Sequence, residues 1–185
     1  MHDEIKKKLR MRMEKSIDSL KDEFKKIRSG RANTSLVEDL VVEYYDSRIP
    51  LKQLAGISVP EPRLIVIQPW DKGALPFIEK AFHKSDLMLT PNNDGKVIRI
   101  SIPPLTEERR KDLVKIAKAK AEEARVAIRN IRRDSNDEVK KAEKEGHVSE
   151  DDSKKTLEEI QKITDEFIKK INDLLDAKIA EIMEV

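Results

Sequence analysis

The chain has 185 residues, of which 40% are charged, 38% hydrophobic and only 4% aromatic, and its 38 basic residues nearly balance 36 acidic ones. This balance argues against a uniformly basic nucleic-acid coat and against an acidic disordered tail. The absence of cysteine excludes disulfides, zinc ribbons, iron–sulfur clusters and thiol catalysis. No apolar run is long enough to span a membrane, and the first residues lack the apolar core of a signal peptide, so we expect a cytoplasmic protein.

The composition divides the chain into two kinds of segment. All 8 prolines lie between residues 31 and 104, where 18 of 74 residues are charged, whereas 56 of the other 111 residues are charged. Proline is excluded from helix interiors because it lacks an N–H and clashes with the preceding turn. We therefore predict a helical domain of residues 1–30 and 105–185, interrupted by an inserted domain of residues 31–104.

The first helix is predicted by apolar residues that recur every three or four positions. The stripe stops just before Gly30, and glycine commonly follows a helix C-terminus. We therefore expect this helix to end at Gly30. The stripe consists of Leu9, Met13, Ile17, Leu20, Phe24 and Ile27.

The insert has the pattern of a small α/β unit. Runs of β-branched and aromatic residues predict strands at residues 40–45, 63–67 and 96–102. Residues 91–95, with the sequence PNNDG, predict a turn. Between them, the spacing of apolar residues predicts one short helix over residues 75–84.

Two more apolar stripes predict long helices over residues 106–145 and 149–182. The second begins at Ser149, and Asp152 completes a variant of the capping box. At 1.5 Å per residue these helices would be about 60 Å and about 51 Å long, so three helices that share one apolar seam would form a rod. The stripe positions are Leu113, Ala117, Ala124, Ile128, Ile131, Val139 and Ala142 in one helix, and Leu157, Ile160, Thr164, Phe167, Ile171, Leu174, Lys178 and Ile182 in the other.

One side of the helix over residues 106–145 is rich in basic residues. At about 100° per residue, this side faces away from the apolar stripe, and we call it the basic face. It also contains three acidic residues, Glu107, Glu122 and Glu143. Its eight basic residues are Lys111, Lys115, Lys118, Arg125, Arg129, Arg132, Arg133 and Lys140.

The basic face has two interpretations of equal weight from spacing alone. Arginine grips a phosphate with two parallel hydrogen bonds, which favours nucleic-acid binding. The other interpretation is a solvated surface whose arginines pair with nearby carboxylates. Because the basic face contains no aromatic residue to stack on bases, any RNA contact would recognise backbone and shape.

Enzyme motifs are missing from the sequence. The five glycines are too dispersed for a phosphate-binding loop, and the three histidines form no metal-binding pair. We therefore expect a protein that is not an enzyme, with no metal and no cofactor.

Two connections join the predicted domains, at Gly30-Arg31 and at Pro103-Pro104-Leu105. Glycine in one connection and two stiff prolines in the other are compatible with a hinge of limited freedom. A rigid elbow is an equally good interpretation of the same residues.

Four segments closely resemble the ribosome recycling factor family: residues 26–32 (KIRSGRA), 42–45 (VEYY), 103–111 (PPLTEERRK) and 124–134 (ARVAIRNIRRD). The resemblance extends over essentially the whole chain, with matching length and motif order. The chain departs from the family pattern after Tyr45, where glycine is usual and Asp46 is present, and near Thr34, where many relatives have proline.

The resemblance implies an α+β protein in which a long three-helix bundle carries an inserted α/β domain, a β/α/β sandwich, in an L shape similar in outline to transfer RNA. It implies a monomeric translation factor that binds the large ribosomal subunit after termination, with its bundle on ribosomal RNA. Elongation factor G with GTP would then push on it and split the ribosome into subunits. No membrane takes part.

Carried over by position, the resemblance also implies which residues act. The basic face would contact ribosomal RNA, supported by two arginines near the hinge, and the inserted domain would rotate about the two connections. The RNA-binding residues would be Arg28, Arg31, Arg125, Arg129, Arg132 and Arg133. The hinge residues would be Gly30, Arg31, Pro103, Pro104 and Leu105.

Two other functions fit parts of the sequence. A helical interaction scaffold would show apolar residues on the outer faces of its helices, and Ile163, Ile168, Leu175 and Ile179 widen the last stripe in that way. An RNA-shape-binding protein unrelated to ribosomes is supported by the basic face alone.

Overall fold

The computed structural model describes residues 1–184, which divide into two compact units. One unit combines Met1–Ser29 with the segment that begins at Glu107, and the other is Gly30–Thr106. We call them the helical unit and the insert; the insert is one residue longer at its start and two at its end than composition predicts.

The elements follow the order helix, hairpin, sheet with a helix, and two helices. They are α1 (His2–Lys25), β1 (Val41–Tyr44), β2 (Ser47–Pro50), β3 (Ala55–Glu61), β4 (Leu64–Pro69), α2 (Leu75–Lys84), β5 (Pro91–Asn93), β6 (Ile98–Ser101), α3 (Glu107–Lys144) and α4 (Glu150–Met183). Helices α3 and α4 contain 38 and 34 residues, so they are about 57 Å and about 51 Å long.

In the helical unit, α1, α3 and α4 pack as a three-helix bundle. Arg12 pairs with Asp134 and Lys8 with Glu138, so α1 runs antiparallel to α3. Helix α1 also pairs with α4, through Lys6 with Glu159 and Arg10 with Glu166. Residue numbers increase in the same direction along both helices, so α1 and α4 are parallel. The buried core follows the predicted stripes and includes Leu9, Met13, Ile17, Ala117, Ile128, Ile160, Phe167 and Ile171.

The end of α1 differs from the prediction. The helix ends at Lys25 rather than at Gly30. The N–H groups of Lys26 and Ile27 donate to carbonyls only three residues back, which closes the last turn tightly, and Ile27 remains buried. Gly30 has a positive φ of 78°, but it lies beyond this turn and does not cap the helix.

In the insert, α2 packs against both a two-stranded and a four-stranded antiparallel sheet. The hairpin consists of β1 and β2, and the larger sheet has the strand order β3-β4-β6-β5. Side chains from both sheets and from α2 share one core that includes Val42, Leu51, Ile65, Ile67, Ile78, Phe82, Ile98 and Ile100.

Three strands lie outside the prediction: β2, β3 and β5. Strands β3 and β5 form the two edges of the larger sheet. Most residues of β3 are exposed, and β5 occupies the start of the segment predicted to be a turn, so that residues 94–97 make the connection to β6. Edge strands need no apolar run, since they bury little surface.

Candidate nucleic-acid interface

Helix α3 presents the basic face to solvent because its apolar positions are occupied on the other side. Leu113, Ala117 and Ile128 are buried against the neighbouring helices. Of the eight basic residues, only Arg125 and Arg132 are half-buried, and the other six are exposed. Together with three acidic residues they give the basic face a formal charge of +5.

Arg125 is fixed to the bundle rather than free for a ligand. Its Nε and Nη2 both donate to Asn172 Oδ1 of α4, at 3.0 and 2.8 Å. Its Nη1 donates to Glu122 Oε2 at 3.0 Å, and only 20% of the side chain is exposed. Arg125 therefore links α3 to α4.

Glu122 serves two arginines at once. Its second carboxylate oxygen accepts a hydrogen bond from Arg129 Nη1 at 3.0 Å. The hydrogen bonds from Arg125 and Arg129 lower the pKa of Glu122 below its usual value. One negative charge thus neutralises only one of the two guanidinium groups, and Arg129 keeps nearly half of its side chain exposed.

Arg132 contacts α4 as well, through a weaker bond. Its Nη1 donates to Gln161 Oε1 at 3.3 Å, and the Gln161 amide donates in turn to Asp165 at 2.8 Å. Most of the donors of Arg132 remain available to a ligand.

Half of the basic side chains on this face have no partner among the described residues. Within residues 1–184, four of its side chains form neither an ion pair nor a hydrogen bond: Lys115, Lys118, Arg133 and Lys140. These four cations are neither buried nor paired, so they are solvated. They can therefore bind phosphates without first breaking a contact. The interpretation in which carboxylates neutralise the whole surface therefore fails for them.

The two arginines predicted near the hinge belong to different units. Arg28 belongs to the helical unit and Arg31 to the insert, and both are exposed. Their assignment to RNA binding stays a prediction.

The two connections are held closely within the insert. Ala32 N–H donates to the Pro62 carbonyl, and Ile102 N–H donates to the Arg63 carbonyl, each at 2.8 Å. A Cβ added to Gly30 would lie 2.9 Å from Leu105 Cγ, too close for any other residue without a shift. Pro103 and Pro104 are exposed and lie outside helices and strands.

The expected signature of a helical scaffold is not found on α4. Ile163 and Leu175 are buried, and Ile168 and Ile179 are half-buried, so all four serve the bundle core. Among the α4 residues that the structure describes, Met183 is the only large hydrophobic residue that is exposed.

The described residues contain no cluster of three or more histidine, aspartate or glutamate side chains placed to hold a metal ion. Among helices formed by residues 1–184, none combines the length and apolar character that a bilayer crossing requires.

The chain is similar to known proteins over its whole length. Residues 20–183 match the sequence profile of the family described as Ribosome recycling factor. The ribosome-recycling factor of Carboxydothermus hydrogenoformans is 58% identical over 185 residues, which is 100% of both chains.

Two solved structures are also similar. A solution structure of a ribosome recycling factor has a TM-score of 0.78 at 47% identity, covering 100% of this chain and 98% of that one. A structure of the T. thermophilus ribosome recycling factor and the E. coli elongation factor G, described as models bound to the E. coli post-termination complex, has a TM-score of 0.64 at 50% identity and covers 100% of both chains. The predicted family and α+β fold class are confirmed, and the chain belongs to the ribosome recycling factor family.

Proposed function

We propose that this protein binds the ribosome after termination and, together with elongation factor G and GTP, splits it into subunits. The family to which the chain belongs supports this role, and so does a relative placed on a post-termination complex with elongation factor G. The protein would act in the cytoplasm as a translation factor that hydrolyses nothing itself, so that GTP hydrolysis falls to the elongation factor.

The observation that supports an RNA contact most directly is the group of unpaired cations on α3. A surface with a formal charge of +5, no aromatic residue and four solvated cations suits the phosphates of folded RNA. We assign the main contacts to Arg129, Arg132 and Arg133. Lys115, Lys118 and Lys140 extend the surface along the helix, and Arg125 positions it.

The basic face is tested best through Arg133, because this side chain makes no contact that a substitution would break. We expect Arg133→Glu to change the free energy of unfolding by no more than about 0.5 kcal/mol. It should weaken binding to the large ribosomal subunit and reduce the slope of log affinity against log salt by about one. Arg132→Glu should also weaken binding, but it removes the hydrogen bond to Gln161 as well.

Lys162→Glu is the matched control. Lys162 is exposed on the outward side of α4 and, like Arg133, has no partner within residues 1–184. Sucrose-gradient sedimentation of post-termination ribosomes with elongation factor G and GTP should show splitting by wild type and Lys162→Glu, and much less by Arg133→Glu. Equal affinity and splitting for both variants would contradict the assignment to α3.

We further propose that the insert moves relative to the helical unit about Gly30-Arg31 and Pro103-Pro104-Leu105 during splitting. A covalent bridge between the two units should then leave ribosome binding intact and reduce splitting. Full splitting by the bridged protein, with bridge formation verified by mass spectrometry, would show that this motion is not required.

A further inference from the structure

A groove of about 520 Å³ lies on the insert, between the β1–β2 hairpin and α2. Leu40, Val41, Pro76 and Ala81 contribute apolar surface to it. Val41 is 44% exposed although its neighbour Val42 is fully buried, because alternate residues of a strand face opposite sides. Leu40 and Ala81 are half-buried and also pack against the core of the insert, whereas Val41 and Pro76 are exposed, so the groove offers aliphatic surface that the core leaves uncovered.

An aromatic cluster closes one end of the groove. The ring centroid of Tyr45 lies 4.7 Å from that of Tyr44 and 5.2 Å from that of Phe77. Tyr45 occupies the first position of the two-residue turn between β1 and β2, with a positive φ of 54°. A bulky residue rarely adopts this backbone conformation. The Tyr45 side chain is 68% exposed, so burial of the ring does not explain its position.

The rim of the groove is positively charged. It carries Arg48, Lys80 and Lys84 against a single carboxylate, Glu43. Lys84 lies 3.8 Å from Glu43, whereas Arg48 and Lys80 have no partner within residues 1–184. Two cations are therefore available beside an apolar floor and an exposed aromatic ring.

We propose that this groove binds a segment of a partner protein in which a large apolar side chain lies next to a carboxylate. The apolar side chain would fill the space between Val41 and Phe77, and the carboxylate would pair with Lys80 or Arg48. Apolar anchors flanked by charge pairs are the usual composition of such contacts. This inference is independent of the function proposed for α3.

A nucleic acid is the less suitable ligand. Stacking of successive bases needs several open aromatic faces, and Tyr45 is the one exposed ring among the lining residues of the groove. The floor is aliphatic, and Glu43 would repel a phosphate that approached Lys84. A protein segment with both an apolar and an acidic side chain satisfies all these groups.

The test starts from a phage library of random peptides, selected on the full-length protein and counter-selected on an unrelated protein. We expect enriched peptides in which Asp or Glu adjoins Leu, Ile, Phe or Trp. Synthetic versions should bind Lys80→Glu about tenfold or more weakly than wild type in fluorescence anisotropy. Lys96→Glu is the control, since Lys96 is exposed on the insert and does not line the groove.

Three results would overturn the proposal: no enrichment above an unrelated protein, enriched peptides without acidic residues, or equal affinity for Lys80→Glu and wild type. A labelled oligouridine provides the other arm. If Lys80→Glu weakens oligouridine binding while no peptide is enriched, the groove is a nucleic-acid site instead. Near-ultraviolet circular dichroism verifies that each variant keeps its fold.

Discussion

Gly30→Ala tests the close approach of the two connections. The substitution has two separate effects, one on the backbone and one on packing. Gly30 has a φ of 78°, and a side chain in this left-handed region costs about 1–2 kcal/mol. The new Cβ would also lie 2.9 Å from Leu105 Cγ, whereas carbon atoms in favourable contact are about 3.5–4.0 Å apart.

The packing effect cannot be relieved by a small rotation. Cγ is the branch point of the leucine side chain, so it moves only if χ1 or the backbone moves. Overpacking of this kind typically costs about 1–3 kcal/mol. We therefore expect Gly30→Ala to lower the free energy of unfolding of the insert by about 2–5 kcal/mol.

Gly95→Ala is the control that isolates the backbone effect. Gly95 also has a positive φ, of 89°, but nothing lies within 4 Å of an added Cβ. Its substitution should cost about 1–2 kcal/mol. The difference between the two variants then measures the contact with Leu105, and the double variant Gly30→Ala/Leu105→Ala should recover most of it.

The assay is urea unfolding followed by near-ultraviolet circular dichroism. The single tryptophan and both tyrosines of the chain lie in the insert, as Trp70, Tyr44 and Tyr45, so the tryptophan and tyrosine bands of this signal report on the insert. If Gly30→Ala and Gly95→Ala agree to within about 0.5 kcal/mol, a margin typical of independent sites, then Leu105 does not approach Gly30 closely and the reasoning is refuted.

Two other predictions concern carboxylates that accept strong hydrogen bonds. Tyr44 donates to Asp71 at 2.6 Å, and this bond raises the pKa of Tyr44 to about 12. The contribution of the bond to stability should be complete below a pH of about 10, which is the pKa of an unfolded tyrosine. It should be lost as the pH rises from about 10 to about 12. Absorbance titration should show this late-titrating tyrosine in wild type and lose it in Tyr44→Phe; its persistence would contradict the assignment. Glu122→Gln removes the carboxylate shared by Arg125 and Arg129, so it should strengthen binding to duplex RNA at low salt, and weaker binding would show that Glu122 orients these arginines productively.

The helices could be predicted from the sequence because their cores are periodic. All seven stripe residues predicted for α3 are buried, and so are six of the eight predicted for α4, whereas Leu157 and Leu174 are half-buried. Ser149 caps α4 as expected, accepting a hydrogen bond from Asp152 N–H at 3.1 Å. The end of α1 could not be predicted from Gly30, since glycine also adopts a positive φ in connections that need close approach.

The strands were predictable only where burial gives them a pattern. The central strands β4 and β6 alternate between buried and less buried residues, and both were predicted. Strand β3 includes Gly56 and Pro60 and is mostly exposed, so it carries neither alternation nor an apolar run. Its pairing with β4 depends on backbone hydrogen bonds, which side-chain patterns do not record.

The position of the basic face could be predicted, but not which of its residues are paired. Lys118 has Glu122 four positions away, a spacing that favours an ion pair. In the structure that carboxylate is occupied by Arg125 and Arg129, and Lys118 remains free. Arg125 is also held by Asn172, which lies 47 residues further along the chain, and a helical wheel contains no information about that contact.

The roles of the arginines on α3 follow from their distance to α4. Arg125 and Arg132 lie on the side nearest α4, where Asn172 and Gln161 accept their hydrogen bonds. The rotation of α3 about its own axis is set by its buried stripe, which includes Leu113, Ala117 and Ile128, and these two bonds lie at the edge of that packing. The same rotation directs Arg133, about 80° around the helix from Arg125, toward solvent. Core packing thus orients a cation that contributes little to stability itself, which is why Arg133 can be exchanged in an experiment without loss of the fold.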